Sequence, residues 1–342
     1  MKQFHNLLKN ILDNGFTHGD RTGVGRRSIY NVHLDFDVSK FFPAVTTQKV
    51  FLQTAVKETL WMLAGSSRID EPGLELPIWK QWTLSQEGID ANETLLTNLA
   101  GFDKSDISSK LGTIGNLYPQ AWRSAPNNNK SIRKRRTLDE LPSDLVKHYG
   151  NDFLPVLNEI YWSKYDQINE VFLNLKKRPY SSRHRVSAWI PEWIPDEEES
   201  SQYNIINNRG ALTPCHSFFQ FTVGDVNPDT GKSTLNLYLY QGSMDTAVGG
   251  VYNVAGYTTL LYIFANLLNM SPGRFSIAIG DAHIYTNQIE LVKEQLTREI
   301  YEPQTQLVIK DRGQVDPFDF LTDDFSFTNY QHHPHLKYPV AV

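Results

Sequence analysis

His216 to Tyr240 reads HSFFQFTVGDVNPDTGKSTLNLYLY, and this stretch decides what kind of fold the chain adopts. Residues 216–223 are mostly apolar and aromatic, and in residues 233–240 leucine recurs at every second position from Leu235 onward. The linker between these two runs is rich in Gly, Pro, Asn and Asp, which suits a hairpin. The stretch therefore predicts two paired strands, each with one face toward a core.

Helical patterns flank the hairpin on both sides. Residues 51–63 predict a mostly buried helix that carries Glu58 among apolar neighbours, and residues 253–268 predict a second buried helix. Residues 275–279 predict a short buried strand that delivers the motif Gly280–Tyr285, GDAHIY, at its end. Polar groups at strand ends are frequent positions for functional sites.

The composition excludes several classes of protein. The 342 residues include 33 basic and 38 acidic side chains, a net charge of −5, so we expect no nonspecific nucleic-acid binding. No apolar run approaches the roughly 20 residues that cross a bilayer, and the amphipathic N-terminus lacks the pattern of a signal peptide. With a single free thiol, these features predict a cytoplasmic protein (in the host cytoplasm if viral) that has no membrane contact.

Cys215 is the only cysteine, in Leu212-Thr213-Pro214-Cys215-His216. Taken alone, it is either a small buried core residue or a nucleophile that a positive neighbourhood keeps as thiolate. A cysteine hydrolase that pairs Cys215 with His216 is disfavoured, because adjacent residues of a strand point to opposite faces.

Two stretches, near 127–164 and 193–210, are typical of insertions. The first contains the basic run Lys130–Arg136 and the second contains the acidic run Asp196–Glu199. We interpret both runs as solvated loop surface, with a partner or nucleic-acid contact as the alternative for the basic run.

Several short motifs, in order along the chain, together resemble the thymidylate synthase family. They are Asp20-Arg21-Thr22-Gly23, Glu58-Thr59-Leu60-Trp61, Ile78-Trp79 with Trp82, Tyr118 with Trp122-Arg123, Ser182-Arg183 leading into Val186-Ser187-Ala188-Trp189, Pro214-Cys215-His216, Tyr240-Gln241, Ser243, Asp245, Asn253, Gly280–Tyr285 and the C-terminal Pro339-Val340-Ala341-Val342. Any one motif arises by chance, whereas the ordered set is specific.

The resemblance implies an α+β fold, with a large mixed sheet that has helices on one face. It implies a single domain over residues 1–342 that includes the two insertions, and a homodimer that packs sheet against sheet. In such a dimer Arg183 would reach into the partner's site.

The resemblance also implies the chemistry. Cys215 would add to C6 of the uracil ring of dUMP, which makes C5 reactive toward a one-carbon unit from 5,10-methylenetetrahydrofolate. Glu58 would transfer protons through a network of water molecules, and Tyr118 would help to orient that network. Asn253 would read uracil through its amide and exclude cytosine. No metal is implied.

Further residues match nucleotide and folate positions of the family. The nucleotide set is Arg21, Arg183, Gln241, Ser243, Asp245, Asn253, His283 and Tyr285, in which His283 and Tyr285 would hold the sugar 3′-hydroxyl. The folate set is Trp79, Trp82, Asp245, Val248, Tyr252 and the tail residue Ala341.

The chain departs from the family at the phosphate site. The family holds the nucleotide phosphate with four arginines, and Gly242 and Ser182 stand at two of these positions. An arginine at position 242 would also lower the pKa of the thiol, so its loss weakens both functions. Arg185, Arg123 or the basic insertion could compensate.

The folate side departs as well, because Tyr252 stands for the usual Phe and Val248 for the usual Leu. These changes could admit water and favour 5-hydroxymethyl-dUMP as the product, as in phages with modified thymine. The alternative product is dTMP with release of dihydrofolate, which Trp79 and the tail favour. A more remote alternative is a non-catalytic nucleotide-binding paralogue.

Overall fold

The structure is a computed structural model that describes residues 1–91, 104–126, 141–149 and 164–341. Its elements are helices α1 (Lys2–Asn14), α2 (Leu52–Ala64), α3 (Lys104–Ser109), α4 (Tyr118–Ser124), α5 (Ser143–Tyr149), α6 (Gln167–Lys177), α7 (Ser201–Ile206), α8 (Gly249–Leu267) and α9 (Ile289–Leu296), and strands β1 (Phe16–His18), β2 (Arg26–Asp37), β3 (Ala125–Pro126), β4 (Lys164–Tyr165), β5 (Arg185–Ser187), β6 (His216–Val226), β7 (Ser233–Asp245), β8 (Ser271–Tyr285), β9 (Gln306–Ile309) and β10 (Phe325–Thr328).

Six strands form one mixed sheet, in the order β1-β2-β8-β7-β6-β5. The pairs β1–β2, β2–β8 and β6–β7 are antiparallel, whereas β7 and β8 run parallel. Since a parallel pair needs a crossover connection, the chain between β7 and β8 is long enough to hold helix α8. The α+β class and the large mixed sheet that the sequence predicts are confirmed.

The predicted hairpin is present as β6 and β7, and both strands run longer than the sequence pattern shows. Leu235, Leu237 and Leu239 are buried, whereas Tyr238 and Tyr240 between them are exposed. The alternation therefore assigns one face of the sheet to the core and leaves aromatic rings on the other.

Helix α8 packs on the core face of the sheet. It is apolar around most of its circumference, which is typical of a helix that is buried on all sides. The rings of Phe221 on β6 and Phe264 on α8 stack with centroids 4.6 Å apart. This contact holds the C-terminal part of α8 against β6, while Val248, Tyr252 and Asn253 lie at or next to the start of the helix.

The motif Gly280–Tyr285 lies within β8, not after its end as the sequence suggested. The strand continues because β8 pairs on both sides, with β2 and with β7. A Cβ at Gly280 would lie 2.7 Å from the carbonyl oxygen of Gly242. Glycine is therefore required where these two strands approach closely.

The chain divides into two compact units, each assembled from separate segments. The first comprises Met1–Thr59, Asn174–Arg185 and Cys215–Val342, and the second comprises Leu60–Leu173 and Val186–Pro214. The single-domain organisation over residues 1–342 stays a prediction.

The second unit has its own buried polar centre. The guanidinium of buried Arg123 donates from Nε to Asp166, 2.6 Å away, and also to the carbonyl oxygen of Leu63. Asp144 lies 3.5 Å from the same guanidinium. A buried arginine that holds two carboxylates is committed to the structure of this unit.

The structure covers the predicted insertions unevenly. In the second insertion, the acidic run Asp196–Glu199 is exposed and precedes α7, as expected for solvated surface. Of the first insertion only residues 141–149 and 164 are described, so the basic run Lys130–Arg136 lies outside the described residues. Among the helices described, we find none with the length and apolar character needed to cross a membrane.

Candidate active site

Cys215 lies immediately before β6 and is exposed to solvent. The backbone N–H of Gly242 on β7 donates to its carbonyl oxygen over 2.7 Å, which anchors the residue to the edge of the sheet. Desolvation by the surrounding protein raises the pKa of the thiol to about 11, against the lowering effect of Arg26 and Arg21, while Asp281 adds to the rise. Cys215 is thus exposed as a residue, whereas its thiol is desolvated and, without a ligand, protonated at neutral pH.

His216, the next residue, is buried and cannot serve Cys215 as a base. Its Nδ1 hydrogen-bonds the hydroxyl of Tyr257 over 2.8 Å. Burial lowers the pKa of His216 to about 3, so its ring is neutral. The opposite orientation of these neighbours agrees with the argument against a cysteine hydrolase.

Arg21 lies in a tight turn before β2. The Oδ1 of Asp20 accepts hydrogen bonds from the backbone N–H and the hydroxyl of Thr22, at 2.7 and 2.6 Å, and Gly23 takes φ +74°. This turn holds Arg21 exposed within electrostatic range of Cys215. The Asp-Arg-Thr-Gly sequence thus stabilises the local geometry of this turn.

Glu58 and Asn253 come from helices α2 and α8 of the first unit. Glu58 is only 9% exposed, and its negative charge contributes to the raised pKa of Tyr252 and of Tyr257, after the larger effect of burial. Glu58 is therefore a buried carboxylate close to the start of α8, as predicted. Asn253 is half-buried, and its amide forms no hydrogen bond within the described part of the chain.

The adjacent ends of β7 and β8 bring three predicted site residues, Ser243, Asp245 and His283, into register. Ser243 pairs with Asp281, and Asp245 pairs with His283. His283 is 3% exposed, and neither of its ring nitrogens has a hydrogen-bond partner among the described residues. Its ring packs edge-on against Tyr285, with centroids 5.1 Å apart.

A buried side-chain oxygen without a hydrogen-bond partner among the described residues also lies on β7, two residues before Ser243. Gln241 is buried and donates from Nε2 to the carbonyl oxygen of Ser243 over 3.0 Å. Its Oε1 has no partner in the described chain. Leaving such buried groups unsatisfied costs roughly 1–3 kcal/mol each, and this cost disappears when a polar ligand supplies the partner.

Asp245 is connected to the C-terminal tail through Gln288, which the sequence reasoning missed. The Nε2 of Gln288 donates both to Asp245 Oδ2 and to the carbonyl oxygen of Pro339, each over 3.0 Å. Burial raises the pKa of Asp245, and the Gln288 bond opposes this rise. No signal in the sequence separates Gln288 from the other glutamines, because its role depends on two segments that are distant in the chain.

Three of the predicted residues belong to the second unit. Trp79 contacts Trp82 and Tyr118, with ring centroids 5.5 and 6.4 Å apart, and also packs against Trp61. Trp79 and Trp82 are half-buried, whereas Tyr118 is buried. The two indoles thus present partly exposed aromatic surface beside Tyr118.

The remaining predicted residues lie at the periphery of the first unit. Arg183 is exposed, and its guanidinium bonds to no described residue of its own chain. Ala341 is the last described residue and is half-buried. Within the ranges that the structure describes, no three His, Cys, Asp or Glu side chains are grouped as a metal site would require.

Comparison with known proteins identifies the family. The family model described as thymidylate synthase matches residues 2–342. The thymidylate synthase of Francisella philomiragia subsp. philomiragia is 32% identical over 343 residues, covering 100% of both chains. Thymidylate synthases of Francisella tularensis subsp. holarctica, among them the one from strain LVS, match to the same extent. The chain therefore belongs to the thymidylate synthase family and is a folate-dependent one-carbon transferase.

Proposed function

We propose that the chain transfers a one-carbon unit from 5,10-methylenetetrahydrofolate to C5 of dUMP, with Cys215 as the nucleophile. The observation that carries the proposal is the exposed sulfur of Cys215, beside Arg21 and Arg26, in the same compact unit as Glu58 and Asn253. Addition of the thiolate to C6 pushes electrons toward C5, and the bond to sulfur breaks again when the product leaves.

The protonation state of Cys215 sets a condition on this chemistry. At pH 7 a thiol with a pKa of about 11 is thiolate in roughly one molecule in ten thousand. Productive binding must therefore lower the pKa or remove the proton as the sulfur attacks. Glu58, a buried carboxylate, supports the second route, because it can accept a proton through water.

Base recognition is assigned to Asn253. Its amide oxygen can accept from N3–H of uracil while its amide nitrogen donates to O4. Cytosine presents the opposite pattern at these two positions, so dCMP would leave both groups mismatched. The amide is not engaged within the described chain, which supports this role.

Sugar recognition is assigned to His283 and Tyr285. A buried imidazole, whose Nδ1 lies 3.6 Å from Asp281 Oδ1 and whose Nε2 has no hydrogen-bond partner among the described residues, and a neighbouring phenol match a hydroxyl group, which both donates and accepts. Gln241, with its orphaned Oε1, is assigned to the base and the ordered water around it, and Ser243 lies on the same strand.

The described residues fit a folate. Asp245 presents a carboxyl group for the amino-substituted pterin, Tyr252 and Val248 lie at the start of α8, and Gln288 secures the tail before Ala341. Trp79 and Trp82, which belong to the second unit, carry partly exposed indole rings. Bound folate supplies the carbon and, for a methyl product, the hydride.

Two products follow from the same transfer. The sequence favours 5-hydroxymethyl-dUMP, because Tyr252 and Val248 replace residues that exclude water. The tail contact from Gln288 to Pro339 favours dTMP, because an anchored tail shields the reacting carbon until hydride arrives. The name of the full-length relatives favours dTMP as well, and we therefore propose dTMP as the principal product and 5-hydroxymethyl-dUMP as the second candidate.

The state of assembly that we propose is a homodimer with shared sites. Exposed aromatic side chains on the sheet, Tyr30, Tyr238 and Tyr240, suit an apolar partner surface. Arg183 is exposed, and its guanidinium bonds to none of the described residues, which suits a role in the partner's phosphate site.

The decisive experiment incubates the protein with 5-tritiated dUMP and methylenetetrahydrofolate. We expect tritium release, a nucleotide heavier by one methylene unit, and dihydrofolate absorbance. Cys215→Ser should abolish all three, by about three orders of magnitude or more. An additional oxygen in the product would select the hydroxymethyl route, and no tritium release from the unmodified protein would indicate a non-catalytic nucleotide-binding paralogue.

A further inference from the structure

The site as described has a deficit of positive charge beside the nucleophile. Gly242, whose backbone N–H bonds Cys215, has no side chain to offer where the resemblance implies an arginine. A phosphate dianion and a thiolate both need a cation close by. Another residue must therefore supply this positive charge, or the site lacks it.

Arg26 is a candidate for this charge, and it lies on β2, two strands away from Gly242 in the sheet. It opens β2 opposite Tyr285, and its guanidinium extends along β8 to Asp281, where Nη2 and Oδ2 lie 2.9 Å apart. Asp281 in turn is in register with Ser243, the residue after Gly242. One strand, β8, thus separates the backbone of Arg26 from that of Gly242, and the side chain of Arg26 reaches Asp281 on that strand.

The charge of Arg26 acts on Cys215 more strongly than that of Arg21. Among the groups that face the thiol, Arg26 has the larger effect in lowering its pKa and Arg21 the smaller, while Asp281 opposes both. Arg26 also lowers the pKa of Tyr285, which burial, Asp245, Asp20 and Cys215 raise to about 12. All these groups therefore share one local field in which Arg26 is the principal cation.

Arg26 has donor capacity left for a ligand. Its side chain is 25% exposed, and Nε is buried with no acceptor in the described chain. Asp281 contacts Arg26 through Oδ2 at Nη2, whereas its Oδ1 lies 3.6 Å from Nδ1 of His283. A guanidinium fixed on one side and open on the other is arranged to receive a planar or tetrahedral anion.

The other candidate cations are less suitable. Arg123 is buried and paired with Asp166 in the second unit. Arg185 is exposed and donates from Nε to Gln220 over 3.2 Å.

We infer that Arg26 takes the place of the guanidinium missing at position 242: it binds the nucleotide phosphate and stabilises the thiolate of Cys215. This inference rests on the proposed function, because it assigns a phosphate ligand to that same site. It also explains how the chain dispenses with an arginine at 242 while keeping the rest of the motif.

The first test measures alkylation of Cys215 by iodoacetamide without any nucleotide. Cys215 is the only cysteine, so uptake of one label reads this sulfur alone. In Arg26→Gln we expect the rate at a fixed pH between 8 and 9 to fall roughly three- to tenfold, because the rate below the pKa follows the thiolate fraction. Arg26→Lys should keep most of the rate.

Arg27→Gln is the matched control. Arg27 is the next residue of the same strand, and its Nε donates to the carbonyl oxygens of Ile11 and Leu12, away from Cys215. Its alkylation rate should equal that of the unmodified protein. A rate that falls in Arg185→Gln but not in Arg26→Gln would assign the role to Arg185 and overturn the inference.

The second test measures binding of dUMP and of deoxyuridine, which lacks the phosphate. Arg26→Gln should weaken dUMP about tenfold or more and leave deoxyuridine unchanged, since only the phosphate contact is lost. Equal loss for both ligands would contradict a phosphate contact.

A rescue variant separates this role from mere folding. In Gly242 a Cβ would meet only the Cys215 carbonyl oxygen, at 3.7 Å, so an arginine can start there without a clash. Arg26→Gln with Gly242→Arg should recover both the alkylation rate and dUMP affinity. Failure to recover either one, with thermal unfolding unchanged, would overturn the inference.

Different results would contradict the proposed function and the role of Arg26. If the unmodified protein binds no dUMP, the proposed function is wrong, and the phosphate role assigned to Arg26 falls with it. If dUMP binds and turns over while Arg26→Gln alters neither alkylation nor affinity, the function stands and the role of Arg26 is wrong.

Discussion

At the scale of single residues, the chemistry of Cys215 depends on a balance between desolvation and charge. Removing water from a thiolate raises the pKa, whereas each nearby guanidinium lowers it. In the free chain desolvation prevails, since the pKa is about 11 despite Arg26 and Arg21. If Cys215 is the nucleophile that we propose, a bound substrate must change this balance before the sulfur reacts.

The base-reading role that we propose for Asn253 gives a sharp prediction. Asn253→Asp should lower kcat/KM for dUMP by about tenfold or more and raise activity toward dCMP, because a carboxyl group cannot donate to O4 when ionised. Assays with both nucleotides at equal concentration measure the ratio.

Asn266→Asp is the control for this substitution. Asn266 is exposed near the other end of the same helix, so the same chemical change there should leave the ratio of dUMP to dCMP activity as it was. A ratio that stays constant in Asn253→Asp would show that another group reads the base.

At the scale of secondary structure, the closeness of β7 and β8 is what aligns the polar residues of the site. Side chains on the two strands meet in register only because a glycine lets the backbones approach. The same helix α8 that fills the core also begins at the site, so packing and chemistry share one element.

Gly280→Ala tests that closeness. Its Cβ would lie 2.7 Å from the Gly242 carbonyl oxygen, which forces the strands apart, and we expect the free energy of unfolding to fall by roughly 1–3 kcal/mol. For Gly242→Ala, on the facing strand, the free energy of unfolding should fall by far less, because the added Cβ meets nothing nearer than 3.7 Å. Urea unfolding of the two variants measures the difference, and equal losses would argue against a steric cause.

The lowered pKa of His216, the first residue of β6, predicts how the free energy of unfolding depends on pH. Its pKa is about 3 in the folded chain and near 6.5 when unfolded, so below pH 6.5 the unfolded state takes up a proton that the folded state refuses. The contribution of His216 to the free energy of unfolding is therefore fully present above pH 6.5, and it decreases as the pH falls toward 3.

The size of this effect can be measured by difference. Between pH 7 and pH 5 the protein should lose roughly 2 kcal/mol more than His216→Gln, which has no ionisable ring at that position. Urea unfolding at both pH values gives the two slopes. Identical slopes would mean that His216 is protonated in the folded state.

At the scale of the whole molecule, the prediction concerns sharing of sites between subunits. If Arg183 serves the partner's site, mixing Arg183→Ala with Cys215→Ala should restore activity, because half of the sites in a hybrid dimer are intact. Activity after subunit exchange measures the recovery, with an upper limit of about a quarter of the unmodified rate for random mixing.

Cys215→Ala mixed with Glu58→Gln is the matched control for the hybrid experiment. Both residues belong to one unit of one chain, so every hybrid site lacks one of them and no activity should return. Recovery in this control, or none in the Arg183 mixture when exchange is complete, would contradict the proposed arrangement.

Much of the fold follows from local patterns. The alternation from Leu235 to Leu239 predicted β7, and the apolar run of α8 predicted its buried helix, because periodic burial leaves a direct record in the sequence. The ends of the elements were less well predicted. β8 continues through Gly280–Tyr285 because neighbours on both sides supply its hydrogen bonds, and neither neighbour is adjacent in the chain.

The amino-acid sequence by itself determined the alternation that makes the sheet, the ordered motifs that assign the family, and the residue types that the chemistry needs at Cys215, Glu58 and Asn253. Only the tertiary structure decided which charges surround the sulfur and what Gln288 holds. The physical reason is that electrostatic and hydrogen-bond partners act through space, so Arg26 and Cys215, far apart in the sequence, influence each other only once the strands between them have paired.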